Sequence, residues 1–135
     1  MKPNIDGGNI RNVTPISPAS AGNASPGLPV LFRFELSAGA NADNDITLTF
    51  PIRVVDAWLH LNGAGVASSV TTIKSTANAI SSAMAASGSD QALVRNAGID
   101  DAYRDIPAGG ILRATSSAGA TQPAQTVYVL AIRMG

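Results

Sequence analysis

His60 is the only histidine in the chain, so a Ser-His-Asp triad would have to run through it. A serine nucleophile needs a base within hydrogen-bond reach and a carboxylate to orient that base. Serines are plentiful, but they are spread through the chain as composition, and no G-x-S-x-G turn occurs to present one of them. His60 sits in an alternating stretch beside Trp58, and it reads as an ordinary strand side chain. The acidic groups are Asp6, Glu35, Asp43, Asp45, Asp56, Asp90, Asp100, Asp101 and Asp105. Asp43-Asn44-Asp45 and the Asp100, Asp101, Asp105 set could offer oxygens to a hard cation. Neither has the ligand spacing and closing glutamate of a calcium loop. Carboxylates of this kind are commonest as turn formers. Glycoside hydrolysis needs two carboxylates across a sugar, and the single glutamate has no aromatic platform beside it. Asn62-Gly63-Ala64-Gly65 is glycine-rich, yet no Gly-Lys-Ser/Thr follows, and a strand pattern comes next where a phosphate loop would open a helix. No catalytic, cofactor-binding or metal-binding residue is assigned on these grounds, no cofactor is expected, and an enzyme is not expected.

Composition points the same way. Charged residues make up 13% of the 135 residues, about half the usual share near 25%. Ala, Ser, Thr, Asn and Gly take their place. Interface cores are depleted in charge, so a surface this poor in charge predicts one that is covered in an assembly. Nine basic and nine acidic residues cancel, and no basic stripe is present, so nucleic-acid binding driven by phosphate contacts is not expected. Cysteine is absent; the fold needs no disulfide and offers no thiolate ligand. Met1 to Asp6 is polar and lacks the apolar core of a secretion signal. The longest strongly apolar run, Val127 to Ile132, is far short of a bilayer span. The expectation is synthesis in a cytoplasm and no membrane partner, which makes the sequons at Asn12 and Asn23 chance matches.

These side chains need elements to position them, and the chain divides near residue 28. Residues 1–27 carry Pro3, Gly7, Gly8, Pro15, Pro18, Gly22, Pro26 and Gly27. The prolines exclude a helix and a central strand, so the segment reads as an extended arm. Its apolar residues Ile10, Val13 and Ile16 recur every three residues, the period of a polyproline II helix. Ordering such an arm costs about 1–2 kcal/mol per residue, while burying three aliphatic side chains returns about 1.5–3 kcal/mol each. The arm therefore needs a surface to lie on, and Ile10, Val13 and Ile16, with Arg11, are candidates for contact with a neighbouring subunit.

Residues 28–135 read as one β domain. Leu28 to Ser37 alternates, with Val30, Phe32, Phe34 and Leu36 on one face and Arg33 and Glu35 on the other. Ile46, Leu48 and Phe50 alternate in the next strand, before Pro51 breaks the ladder. Ile52 to Leu61 places Val55, Ala57, Leu59 and Leu61 on one face and Ile52, Val54 and Trp58 on the other, so both faces are expected to be covered. Asn62-Gly63 carries a hairpin signal, followed by a Thr/Ser-rich strand over Val66 to Ser75. Thr76 to Ser87 fits a short helix slightly better than a strand, since Ile80 and Met84 are four apart and Thr76 could cap it. Short strands follow at Gln91 to Ala97 and Ile111 to Ser116. Thr126 to Met134 closes the chain, with Tyr128, Leu130 and Ile132 opposite Val127, Val129 and Ala131. Seven or eight short strands with no βαβ alternation predict an all-β antiparallel β-sandwich or jelly roll. Trp58, Tyr103, Tyr128 and the phenylalanines are expected mainly in the core. Arg33 and Arg53, on strand faces that can point outward, are candidates for bidentate contacts with a partner.

Three stretches carry a family resemblance. They are ITLTFPIRVVDAWLHLNGAG following Asp45, GIDDAYRDIPAGGILRATSS, and the terminal VYVLAIRMG. Together with the Thr/Ser-rich hairpins, they resemble the jelly-roll cement (decoration) proteins of short-tailed bacteriophages. The likeness covers most of Leu28 to Gly135 and lies in style and segment order; the family has no short functional motif to transfer. It implies a virion protein on the outer capsid surface, made in the host bacterial cytoplasm. It also implies that the major capsid protein and further copies of the same chain, as a dimer or trimer, are the partners. The alternatives are a tail, fibre or spike component and a carbohydrate-binding β-sandwich module. A fibre would show a repeat or a coiled-coil stalk, and none is visible.

Overall fold

A computed structural model describes residues 27–135. Ile10, Arg11, Val13 and Ile16 lie outside the described residues. The strands are β1 (Pro29–Leu36), β2 (Asp43–Thr47), β3 (Ile52–Leu61), β4 (Val70–Ser75), β5 (Asn78–Ala79), β6 (Met84–Ala85), β7 (Leu93–Arg95), β8 (Asp105–Ile106), β9 (Ile111–Ser117) and β10 (Gln125–Arg133). Among the described residues no helix is formed.

The pairing is nested. β1 pairs with β10, β2 with β9, β3 with β7 and β8, and β4 with β5 and β6, all antiparallel. Cross-pairs between β10 and β3 and between β9 and β4 roll this long hairpin into two sheets. The first sheet runs β1-β10-β3-β7 and the second β2-β9-β4-β5. This is a jelly-roll sandwich. Its core lies between the sheets, where Val54, Ala57, Leu59, Leu61, Ile73, Leu112, Ala114, Val127, Val129 and Ala131 are fully buried. Burial of a large aliphatic side chain is worth roughly 1.5–3 kcal/mol, and these side chains hold the sheets together.

Three expectations need correction. Among the described residues β3 is covered on one face only. Asp56 pairs with Leu130 and Val54 with Ala131, so Val55 is one residue more than the ladder needs. This β-bulge resets the alternation. Ile52 and Val54 point inward on one side of it and Ala57, Leu59 and Leu61 on the other, while Val55 stands 45% exposed. Asn62-Gly63 does not turn a hairpin, because β3 and β4 belong to different sheets and residues 62–69 cross between them. The constrained glycine there is Gly65. Its N–H donates to the Gly88 carbonyl at 2.8 Å, and a Cβ on it would lie 2.5 Å from that same oxygen. Thr76 to Ser87 is also not a helix. Thr76, at φ 55°, and Ala77 turn β4 into β5, and Ile80 and Met84 are both buried against the core.

A polar bridge also crosses the core. Thr71 Oγ1 on β4 donates to Gln125 Oε1 on β10 at 2.9 Å, tying one sheet to the other through two buried side chains. Buried polar groups are tolerated when paired in this way.

Candidate protein-docking face

The two outer faces of the sandwich differ. On the second sheet the outward residues of β2, β9 and β4 are mostly polar. Arg113 holds Asp45 with two bonds of 2.7 and 2.9 Å, and Asp43 accepts from Thr115 Oγ1 at 2.8 Å. The Arg113 guanidinium holds the Asp45 carboxyl below its ordinary pKa through these bonds. The pair is exposed, so its contribution to stability is small.

The outer face of the first sheet is apolar at its centre. In-register rows run across the strands. Arg33, Tyr128, Trp58 and Arg95 form one row, and Leu31, Leu130 and Asp56 form the next. Glu35, Thr126, His60 and Leu93 flank them on one side, and Pro29, Ile132, Arg53 and Asp105 on the other. Leu31 is 53% exposed and Leu93 62% exposed. Trp58 and Tyr128 stack with ring centroids 5.6 Å apart and planes 21° from parallel. The Arg95 guanidinium lies over the Trp58 ring, 5.6 Å from its centroid. Asp56, set at the bulge, ion-pairs with Arg95 and accepts from Asn96 Nδ2 at 2.8 Å. The bulge therefore aims the carboxylate that anchors the arginine on the tryptophan.

Of the three arginines singled out in the sequence, Arg33 and Arg53 stand on this face. Arg33 ion-pairs with Glu35, whose other oxygen accepts from Thr126 Oγ1 at 2.9 Å. These hydrogen bonds, from Arg33 first and Thr126 second, lower the Glu35 pKa. Arg53 makes a two-point contact with Asp105 at 2.7 and 2.9 Å, which lowers the pKa of that carboxyl. Trp58 and Tyr128, expected in the core, are half-buried on the outer face. Phe34 does lie in the core, while Phe32 and Phe50 pack partly buried against it. The signal for Tyr128 was present in the sequence, since the residues alternating with Val127, Val129 and Ala131 must face away from the core. For Trp58 the unseen bulge hid it.

The remaining candidate chemistry does not assemble. His60 Nδ1 lies 3.0 Å from Asn62 Oδ1, an amide and not the carboxylate of a Ser-His-Asp triad. Among the described residues no three His, Cys, Asp or Glu side chains stand together as a metal site. A cleft of about 250 Å³ lined by Pro51, Ile52, Asp105, Ile106, Pro107 and Met134 is shallow and apolar, below the roughly 300–1,000 Å³ of ligand pockets.

No family model, curated protein or solved structure matches the chain.

Proposed function

We propose that this chain is a structural virion protein that binds the outside of a phage capsid and stabilises it by clamping neighbouring major capsid subunits. One observation carries the adhesive part of this reading. The outer face of the β1-β10-β3-β7 sheet has an apolar and aromatic centre flanked by ion pairs, and nothing among the described residues covers it. Such patches mark interaction sites. A core of Trp, Tyr and Leu with arginines around it has the composition of a protein interface. The capsid part is supported by the resemblance in segment order to phage cement proteins, together with the jelly-roll architecture. A standard interface takes about 800 Å² per partner. Many copies on one shell, each bridging subunits, add avidity to a modest single contact. The carbohydrate-binding alternative draws less support. Sugar stacking needs an open aromatic face, whereas Trp58 is sandwiched between Tyr128 and Arg95.

The test is co-sedimentation of the purified chain with capsids that lack it and, separately, with isolated tails. The expected result is retention on capsids alone and a shell more resistant to heat. Retention on tails, or on neither particle, would overturn the capsid reading.

A further inference from the structure

The sheet edges are not equally protected. β7 has three residues and β5 two. β2 has five and carries Asp43 and Asp45. Short or charged edges of that kind resist pairing with another chain. β1 is different. It is eight residues long, PVLFRFEL, and among the described residues it is paired on one side only, to β10. It contains no lysine, and the β1–β10 register shows no bulge.

The hydrogen-bond phase shows what the edge offers. Arg133 N–H donates to the Leu28 carbonyl at 2.8 Å. Antiparallel pairs alternate between bonded and non-bonded positions. Val30, Phe32, Phe34 and Leu36 therefore turn their backbone groups to β10, and Pro29, Leu31, Arg33 and Glu35 turn theirs outward. The one missing N–H, at Pro29, falls on the outward side, where an edge strand tolerates proline.

We infer that this edge pairs with β1 of a second copy of the chain, antiparallel, across a two-fold axis at Phe34. That register sets Arg33 opposite Glu35 of the partner subunit, and Glu35 opposite Arg33 of the partner subunit. Both residues have edge-facing backbone groups, so each charged pair coincides with a hydrogen-bonded position. An axis at Arg33 would oppose arginine to arginine. An axis at Phe32 would set Leu31 against an arginine and Glu35 against Pro29, which has no N–H to give. The charges thus favour the Phe34 axis over the two registers of longer overlap, at Phe32 and Arg33. Glu35 is held in place by Thr126, which reduces the ordering cost of binding. The pairing merges the two outer aromatic faces into one broad surface. It deepens the adhesive reading by naming how the chain meets its own kind, and it rests on that reading only for self-association.

The experiment is sedimentation equilibrium of the full chain with no virus particle present, so that its outcome is separate from capsid binding. The pairing spans Phe32 to Leu36 of each strand, five residues or about 17 Å, which is a small interface, and the expected result is a weak, high-micromolar monomer–dimer equilibrium. Arg33→Glu and Glu35→Arg, each with an unchanged far-ultraviolet circular dichroism spectrum, should weaken the dimer by about tenfold or more, since like charges then oppose each other twice. Mixing the two variants should restore association as a heterodimer, because one carries two acids and the other two bases. The double variant should again pair with itself. Monomer at every concentration, a dimer indifferent to both reversals, or weakened variants that mixing fails to rescue would each overturn the inference. Loss of capsid binding with the dimer intact would instead count against the capsid reading alone.

Discussion

At the scale of single residues the candidate docking face is held together by a relay that starts in the backbone. Asp56 follows the extra residue of the bulge and grips Arg95, Arg95 covers one face of Trp58, and Tyr128 covers the other. A tryptophan fixed in this way loses little freedom when a partner arrives, which favours it as an anchor. Trp58 is also the only tryptophan in the chain, so its fluorescence reports this face and nothing else. Arg95→Ala should open the ring to water and shift its emission to longer wavelength. The stability cost should be about 0.5–1 kcal/mol, the worth of an exposed cation–π contact. An unshifted spectrum would mean that the arginine does not shield the ring.

At the scale of elements the bulge in β3 decides what could be read from the sequence. β1 and β10 were legible because their alternation runs unbroken: Phe34 and Leu36 went inward with Val127, Val129 and Ala131, as their spacing demands. In β3 the strand appeared apolar on both faces, since a period of two cannot reveal an inserted residue. The consequence is specific to two adjacent valines. Val54→Thr places a hydroxyl at a position with 0% exposure and should cost about 1–3 kcal/mol in chemical denaturation. Val55→Thr, at the exposed bulge, should stay within about 0.5 kcal/mol of the parent. Unbroken alternation with Val55 inward would reverse that order. Two further misreadings have similar causes. Ile80 and Met84 share a helical spacing, yet Ile80 is buried just after β5 and Met84 within β6, where it pairs with β4. Asn62-Gly63 has the composition of a tight turn, but β3 is satisfied by β10 and β7 on its two sides, so the chain must leave for the other sheet. Of the candidate site, Arg33 and Arg53 were visible as outward strand charges. The aromatic pair between them became visible only with the β10–β3 register, which sets Tyr128 opposite Trp58.

At the scale of the whole molecule, a jelly roll gives two outer faces of similar extent, and this chain makes them chemically unlike. The second sheet shows water its hydroxyls and Asp–Arg pairs, and the first shows Leu31, Leu130, Leu93, Tyr128 and Trp58 between the pairs Arg33–Glu35, Arg53–Asp105 and Arg95–Asp56. A soluble fold has no need of that asymmetry, because exposing apolar surface contributes nothing to the packed core and invites association. The asymmetry therefore predicts a one-sided particle contact. Leu93 is the appropriate probe, since it is 62% exposed and stands on β7, away from the β1 edge that a second copy would use. Leu93→Glu should leave the fold within about 0.5 kcal/mol of the parent. Retention on capsids should fall by about tenfold or more, as an unpaired charge enters a desolvated contact. Ser117→Glu adds the same charge to the opposite sheet, at an exposed position on β9, and should leave retention unchanged. The comparison is internal, because both variants change net charge equally and differ only in the face that bears it. Equal losses would indicate a general electrostatic effect, and a loss confined to Ser117→Glu would assign the contact to the polar sheet.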